Sequence, residues 1–145
     1  MNPISVTQRL IHWDAAATAV RAAVVQAERL NVCINVAVVD RSGLLTAFLR
    51  MPGAPLHSID IAIDKAYTVV SFGVPTQQWP DVFKAHSAAV QDGILRRARF
   101  VGFGGGLPIL VDGELIGAIG VSGASEEQDG LCAQAGLNAI STPST

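Results

Sequence analysis

The chain has 145 residues, half of them hydrophobic and 15% charged, with a formal charge of −2. That size fits one domain, residues 1–145, with ample material for a core. Arg96, Arg97 and Arg99 form its only cationic cluster, which is too small a footprint for nucleic acid. No uncharged apolar run approaches the ~20 residues that span a bilayer, so no membrane partner is expected.

The first predicted element opens at Ser5-Val6-Thr7-Gln8, where Ser5 and Gln8 have the spacing of a capping box. Leu10, Trp13, Ala17, Val20, Val24 and Ala27 then recur at helical spacing, and the helix should end near Leu30-Asn31. "VCINVAVVD" is rich in β-branched residues and reads as a buried strand. "DRSG" turns the chain into a return strand, "LLTAFLR", and "MPGAP" breaks it. A second helix is predicted from about Leu56 to Ser71, with Ile59, Ala62, Ile63, Ala66 and Val70 on its apolar face. A short helical segment after Pro75 is expected, and Lys84–Arg97 carries no clear periodicity.

The glycine-rich stretch "GFGGGLPILVDGELIGAIGVSG" does not read as a phosphate loop. No lysine follows its glycines, and the next element is a strand rather than a helix. Asp112-Gly113 instead predicts a tight hairpin between "LPILVD" and "ELIGAIGVSG". Gly104, Gly105 and Gly106 are not needed for that turn and suggest close backbone approach to something. Gly117, Gly120 and Gly123 leave room for a packed neighbour or a cavity wall. Ser125 and Gln128 predict a capped last helix, with Glu126, Glu127 and Asp129 at its positive end. A further strand is placed near Arg97–Val101, and the tail "STPST" should fray. Hairpins dominate, so the fold class expected is α/β (α+β), an antiparallel sheet packed against helices.

Cys33 and Cys132 belong to no CxxC pair and read as buried free thiols, which suits a reducing cytoplasm. Arg9, His12, Asp14, Arg21 and Glu28 interrupt any apolar leader in the first thirty residues. The high apolar content points to a homo-oligomer that buries part of this surface between subunits.

His57, Asp60 and Asp64 follow i, i+3, i+7 spacing and share one face of the second helix. Such a trio could hold a divalent metal or run acid–base chemistry, or serve only as a helix cap and a surface ion pair. Lys65 could anchor an anion or simply snorkel. Ser58 and Ser122 are candidate ligand contacts but sit in no GxSxG elbow. His86 is a candidate pocket residue, and His12 reads as a surface or interface histidine. Covalent haem attachment through CxxCH is absent, whereas noncovalent haem needs only an apolar slot and one ligand.

Three motifs together resemble the HbpS/GlcG family, called haem-binding or haem-degrading, which also supplies the C-terminal domain of PduO-type proteins. They are VVDxxG at Val38–Gly43, SxDxAxxKAxT at Ser58–Thr68 and GGxPIxxDGxxIGAIGVSG at Gly105–Gly123. The resemblance implies a profilin-like sandwich assembled as a tetramer or octamer, and haem, iron or a corrinoid-related ligand. Many relatives carry an acid before the glycine that corresponds to Gly53, where this chain has Pro52. The expected function is therefore a small-molecule binding protein for haem or another tetrapyrrole. Its pocket would lie between the second helix and the glycine-rich strands, with His57 as the iron ligand. The alternative is an enzyme of small organic-acid or aromatic catabolism. There His57 is the acid–base group, Arg50 or Lys65 the carboxylate anchor, and the Gly104–Gly106 amides polarise a carbonyl.

Overall fold

The computed structural model describes residues 2–141. The β-branched run forms β1 (Asn35–Asp40) at the centre of one four-stranded antiparallel sheet, flanked by β2 (Leu45–Arg50) and β4 (Glu114–Ser122). β3 (Gly106–Val111) lies outside β4 and returns to it through Asp112 and Gly113, at φ 50° and 78°. Both angles are positive, as the two-residue hairpin turn requires.

Period-two alternation divides the sheet's faces. Val36, Val38, Ile119 and Val121 face α1 (Trp13–Arg29) and α5 (Glu126–Ile140), which pack against each other over the main core. Ala37, Val39, Ala118 and Gly120 face α2 (Ser58–Phe72), which lies across β4, β1 and β3. The fold is thus a mixed α/β single domain with helices on both faces of the sheet, in the class expected. Between α2 and β3 the chain forms a 3-10 turn at Thr76–Gln78, then α3 (Trp79–Lys84) and α4 (Ala88–Leu95).

Four expectations need correction. The first helix starts at Trp13, capped by His12, whose Nδ1 accepts from the Asp14 amide at 3.1 Å. Ser5 and Gln8 cap nothing, because tertiary contacts hold the chain before it extended. The Ile11 amide donates to Ile116 O at 3.1 Å, and Arg9 reaches Asp112 and Glu114 on the β3–β4 hairpin. The buried stripe of that helix is accordingly Ala16, Ala19, Val20, Ala23 and Ala27, while Trp13 is exposed. No strand forms at 97–101. The Thr68 hydroxyl donates to Arg99 O and accepts from the Val101 amide, both at 3.1 Å, and pins a turn in which Arg99 takes φ 68°. Cys33 is exposed and only Cys132 is buried, where burial and then the Asp129 charge push its thiol up to about 11. The expected frayed tail beyond Ser141 lies outside the described residues.

Candidate functional site

The space expected between α2 and the glycine-rich strands is filled by backbone. A Cβ on Gly120 would overlap Ala62 O, and one on Gly106 would lie 2.9 Å from Val69 Cγ2 and 3.0 Å from Lys65 O. A Cβ on Gly105, at φ 127°, would collide with Val121 O and come 2.7 Å from Lys65 Nζ. The glycines therefore seat a helix, and at Gly106 and Gly120 the space expected for a ligand is taken by α2. The amides proposed to polarise a carbonyl are committed as well: Gly104 N–H donates to Glu126 Oε1 at 2.7 Å and Gly106 N–H to Thr76 Oγ1 at 2.9 Å.

Lys65 sits beneath this layer, 1% exposed, and donates to Val121 O at 2.7 Å and to Asp129 Oδ2 at 3.3 Å. The Phe103 ring covers it, 5.0 Å away. Burial lowers the Lys65 pKa and raises that of Asp129, outweighing their mutual attraction in both cases. Desolvation thus dominates this pair. Lys65 neither snorkels nor is free to anchor an anion. Asp129, expected merely to complement the helix end, is its buried counter-ion and also accepts from the Ala124 amide at 3.0 Å. The Ser125–Gln128 capping box forms as expected.

His57, Asp60 and Asp64 do not assemble into a site. His57 and Asp60 are exposed, and Asp64 bonds Arg99 Nε at 2.9 Å, the surface ion pair that was the plainer expectation. Among the described residues, no three His, Cys, Asp or Glu side chains are placed to hold a metal ion.

Arg50, Ser58 and Ser122, in contrast, do converge. Arg50 and Ser122 both pair with Asn35 across the sheet, on the face that α2 covers, and Ser58 begins that helix. Asn35, which the sequence reading passed over inside an apolar strand, is fully buried between them.

His86 comes to the most ligand-like surface. Phe72, Val74, Trp79, Val82, Phe83, Val90 and Ile94 enclose, with His86, a cleft of about 290 Å³ formed by α2, α3 and α4. Its walls are ordered by edge-to-face contacts, Trp79 to Phe72 at 4.9 Å and Trp79 to Phe100 at 4.8 Å between ring centroids. Trp79 is buried, yet its Nε1 has no acceptor among the described residues. A second cleft of about 240 Å³ shares Phe72 and Ile94 and adds Tyr67, Arg97 and Arg99. Arg99 stacks on Tyr67, 3.6 Å from its ring centroid, which leaves Arg97 as the uncommitted cation. Periodicity missed the slot because the two short helices make it from residues scattered over four segments.

His57 lines neither this slot nor a third cleft of about 430 Å³ at the start of α1, which contains His12. In that third cleft, the His12 Nδ1 is already engaged as a helix cap.

The model of the family described as "Haem degrading protein HbpS-like" matches residues 11–138. The corrinoid adenosyltransferase PduO of Salmonella typhimurium is 40% identical over 120 residues, 83% of this chain but only 36% of PduO. This chain thus spans about a third of that protein. The crystal structure of the PduOC:heme complex superposes with a TM-score of 0.82 at 36% identity, covering 90% of this chain and 95% of that one. The crystal structure of HbpS superposes at 0.86 with 31% identity, covering 96% of each.

Proposed function

The chain belongs to the HbpS-like family of haem-degrading proteins, and we propose that it is a small-molecule binding protein whose ligand is haem or a related tetrapyrrole. The observation that carries this reading is a pair of neighbouring apolar clefts that share Phe72 and Ile94 as walls, with His86 lining one and Arg97 the other. A tetrapyrrole is flat and apolar, with acidic side chains on one edge. Apolar walls, one imidazole and one cation match it in kind. When bound, haem supplies a redox-active iron. The chain's own part would be to cover the macrocycle with Phe72, Trp79 and Phe83, hold the iron through His86, and pair a carboxylate with Arg97. The haem complex of the PduO relative supports the ligand class.

The test is a hemin titration followed by absorbance. A saturable Soret shift is expected, altered in His86→Ala and retained in His57→Ala and His12→Ala. An unsaturable response, or a His86→Ala spectrum identical to the parent's, would overturn the reading. Exposed apolar side chains such as Trp13, Leu95 and Leu110 support assembly into a homo-oligomer, which a native mass measured beside the titration checks.

A further inference from the structure

The segment that leads into α1 and the cleft at the start of that helix serve no step of the haem reading, and they lie at one corner of the fold. Residues 2–10 belong to no helix or strand. The Ile11 amide donates to Ile116 O at 3.1 Å and the Arg9 amide to Glu114 Oε1 at 3.3 Å, so the segment runs beside the start of β4 and parallel to it. The Arg9 guanidinium also holds Asp112, at 3.3 Å. Followed back from Arg9, the chain therefore passes the Asp112-Gly113 turn and leaves the sheet. Its two apolar side chains there are bare, Ile4 at 100% exposure and Val6 at 91%. They are two residues apart, the spacing that puts side chains on one side of an extended chain.

The cleft at the root of this arm complements it in kind. It encloses about 430 Å³ between the β3–β4 hairpin, the start of α1 and the end of α5, with Ile109, Leu110, Ile116, Leu137 and Ile140 among its walls. No Asp, Glu, Lys or Arg lines it, and none occurs in residues 2–8. Charge is depleted in the same way at the cores of protein interfaces. Pro108 stands in the wall and has no amide hydrogen to give, so an occupant docks here through side chains rather than as a further strand on β3. The chain's own arm does not fill the cleft, because the Arg9 contacts carry it past the turn and leave Ile4 and Val6 in solvent. The area of the chain points the same way. It exposes 8514 Å² at 15.1 kDa, whereas a monomer of that mass ordinarily exposes roughly 7,100 Å². The excess is larger than the ~800 Å² that one partner gives to a standard interface.

We propose that residues 2–8 are an exchange arm, and that in a pair of chains each arm lays Ile4 and Val6 in the other's cleft. The partner is a second copy of this chain, so the inference rests on the homo-oligomer reading above and assigns its contact. Six extended residues reach about 20 Å beyond the turn, enough to cross to a neighbour. Ile11 ends the arm and also lines the cleft, so the two features share a corner. A two-fold axis beside that corner makes both exchanges at once and closes the assembly, whereas a one-way contact would leave an arm and a cleft open at each end.

Both sides can be altered outside the core. The double variant Ile4→Ser, Val6→Ser changes the arm, and Leu110→Lys, on a side chain 56% exposed, changes the cleft wall. Native mass is followed through a dilution series of the full chain. Each variant is expected to weaken self-association about a hundredfold or more, with the circular dichroism spectrum of the parent. A second measurement stands if either variant folds poorly. In a Cys33→Ser background, chains carrying Val6→Cys are mixed with chains carrying Leu110→Cys and treated with a short bismaleimide. A link between positions 6 and 110 of different chains is expected in the peptide masses. A protein that stays monomeric at every concentration overturns the assembly and the arm together. An oligomer whose mass ignores the arm and cleft variants, or that yields no such link, keeps the assembly and overturns the arm.

Discussion

The two ends of the α2 layer are built in opposite ways. Where α2 crosses β4, glycines let backbone touch backbone, and seven of its residues are buried, with a lysine among them paired to an acid. Beside the end of the same helix, where α4 shares a cleft with it, none of the residues of α4 is buried, although Val90, Ile94 and Leu95 are apolar. The first region is over-determined and has no room for a ligand. The second is under-packed, and its apolar surface surrounds a cleft. In this fold, close packing and open clefts are divided between neighbouring regions, and the conspicuous sequence motifs mark the packed one.

The largest effect should come from breaking the packed region at its charge pair. Lys65→Met leaves Asp129 buried alone and is expected to cost about 3–5 kcal/mol in urea unfolding. The pH dependence has a definite sign. Asp129 already has a pKa raised above its ordinary 3.8 by burial, and losing Lys65 removes an opposing attraction. Stability from a raised acid is present below its unfolded pKa and is lost as pH rises through the folded one. The variant should therefore be closest to wild type in acid and weakest at neutral pH; a uniform loss across pH would contradict a buried, unpaired carboxylate. Gly120→Ala comes next, at about 3 kcal/mol, because the added methyl meets the Ala62 carbonyl on a helix that cannot shift without lifting its other contacts. Ser125→Ala should lose about 1 kcal/mol through the α5 cap.

The smallest effect belongs to the loose region. Leu95→Gln, on a side chain 60% exposed, should change unfolding by less than about 0.5 kcal/mol. If it costs as much as the glycine change, α4 is packed by something beyond one chain, and the contrast between the regions fails. A chemical probe sharpens the same contrast. Cys33 should react with a thiol reagent in the native protein, while Cys132, with its thiol pushed up to about 11, should react only on unfolding.

Legibility followed the range of the forces involved. The Asp112-Gly113 hairpin, the Ser125 cap and the helix end at Asn31 were readable because each is fixed by residues within a few positions. The start of α1 was misread because Ser5 and Gln8 have local capping chemistry, but the hairpin at Asp112–Glu114, a hundred residues away, holds that segment extended. The strand expected at 97–101 lost to one threonine on α2. At the sites, Arg50, Ser58 and Ser122 were each named as candidates, whereas Asn35, buried in the strand between two of them, was not named. His86 was named as a candidate pocket residue, but Trp79 and Phe83, which line a cleft with it, were not.

The sequence by itself determined the order of the hairpins, the capped last helix and the family motifs, because turn chemistry, β-branching and glycine spacing act locally. Only the tertiary structure decided that Lys65 is an internal counter-ion, that the glycines seat a helix, and that an aromatic cleft opens beside α4. Those outcomes depend on which surfaces meet and on what they exclude from water. Desolvation and packing are settled between segments far apart in the chain.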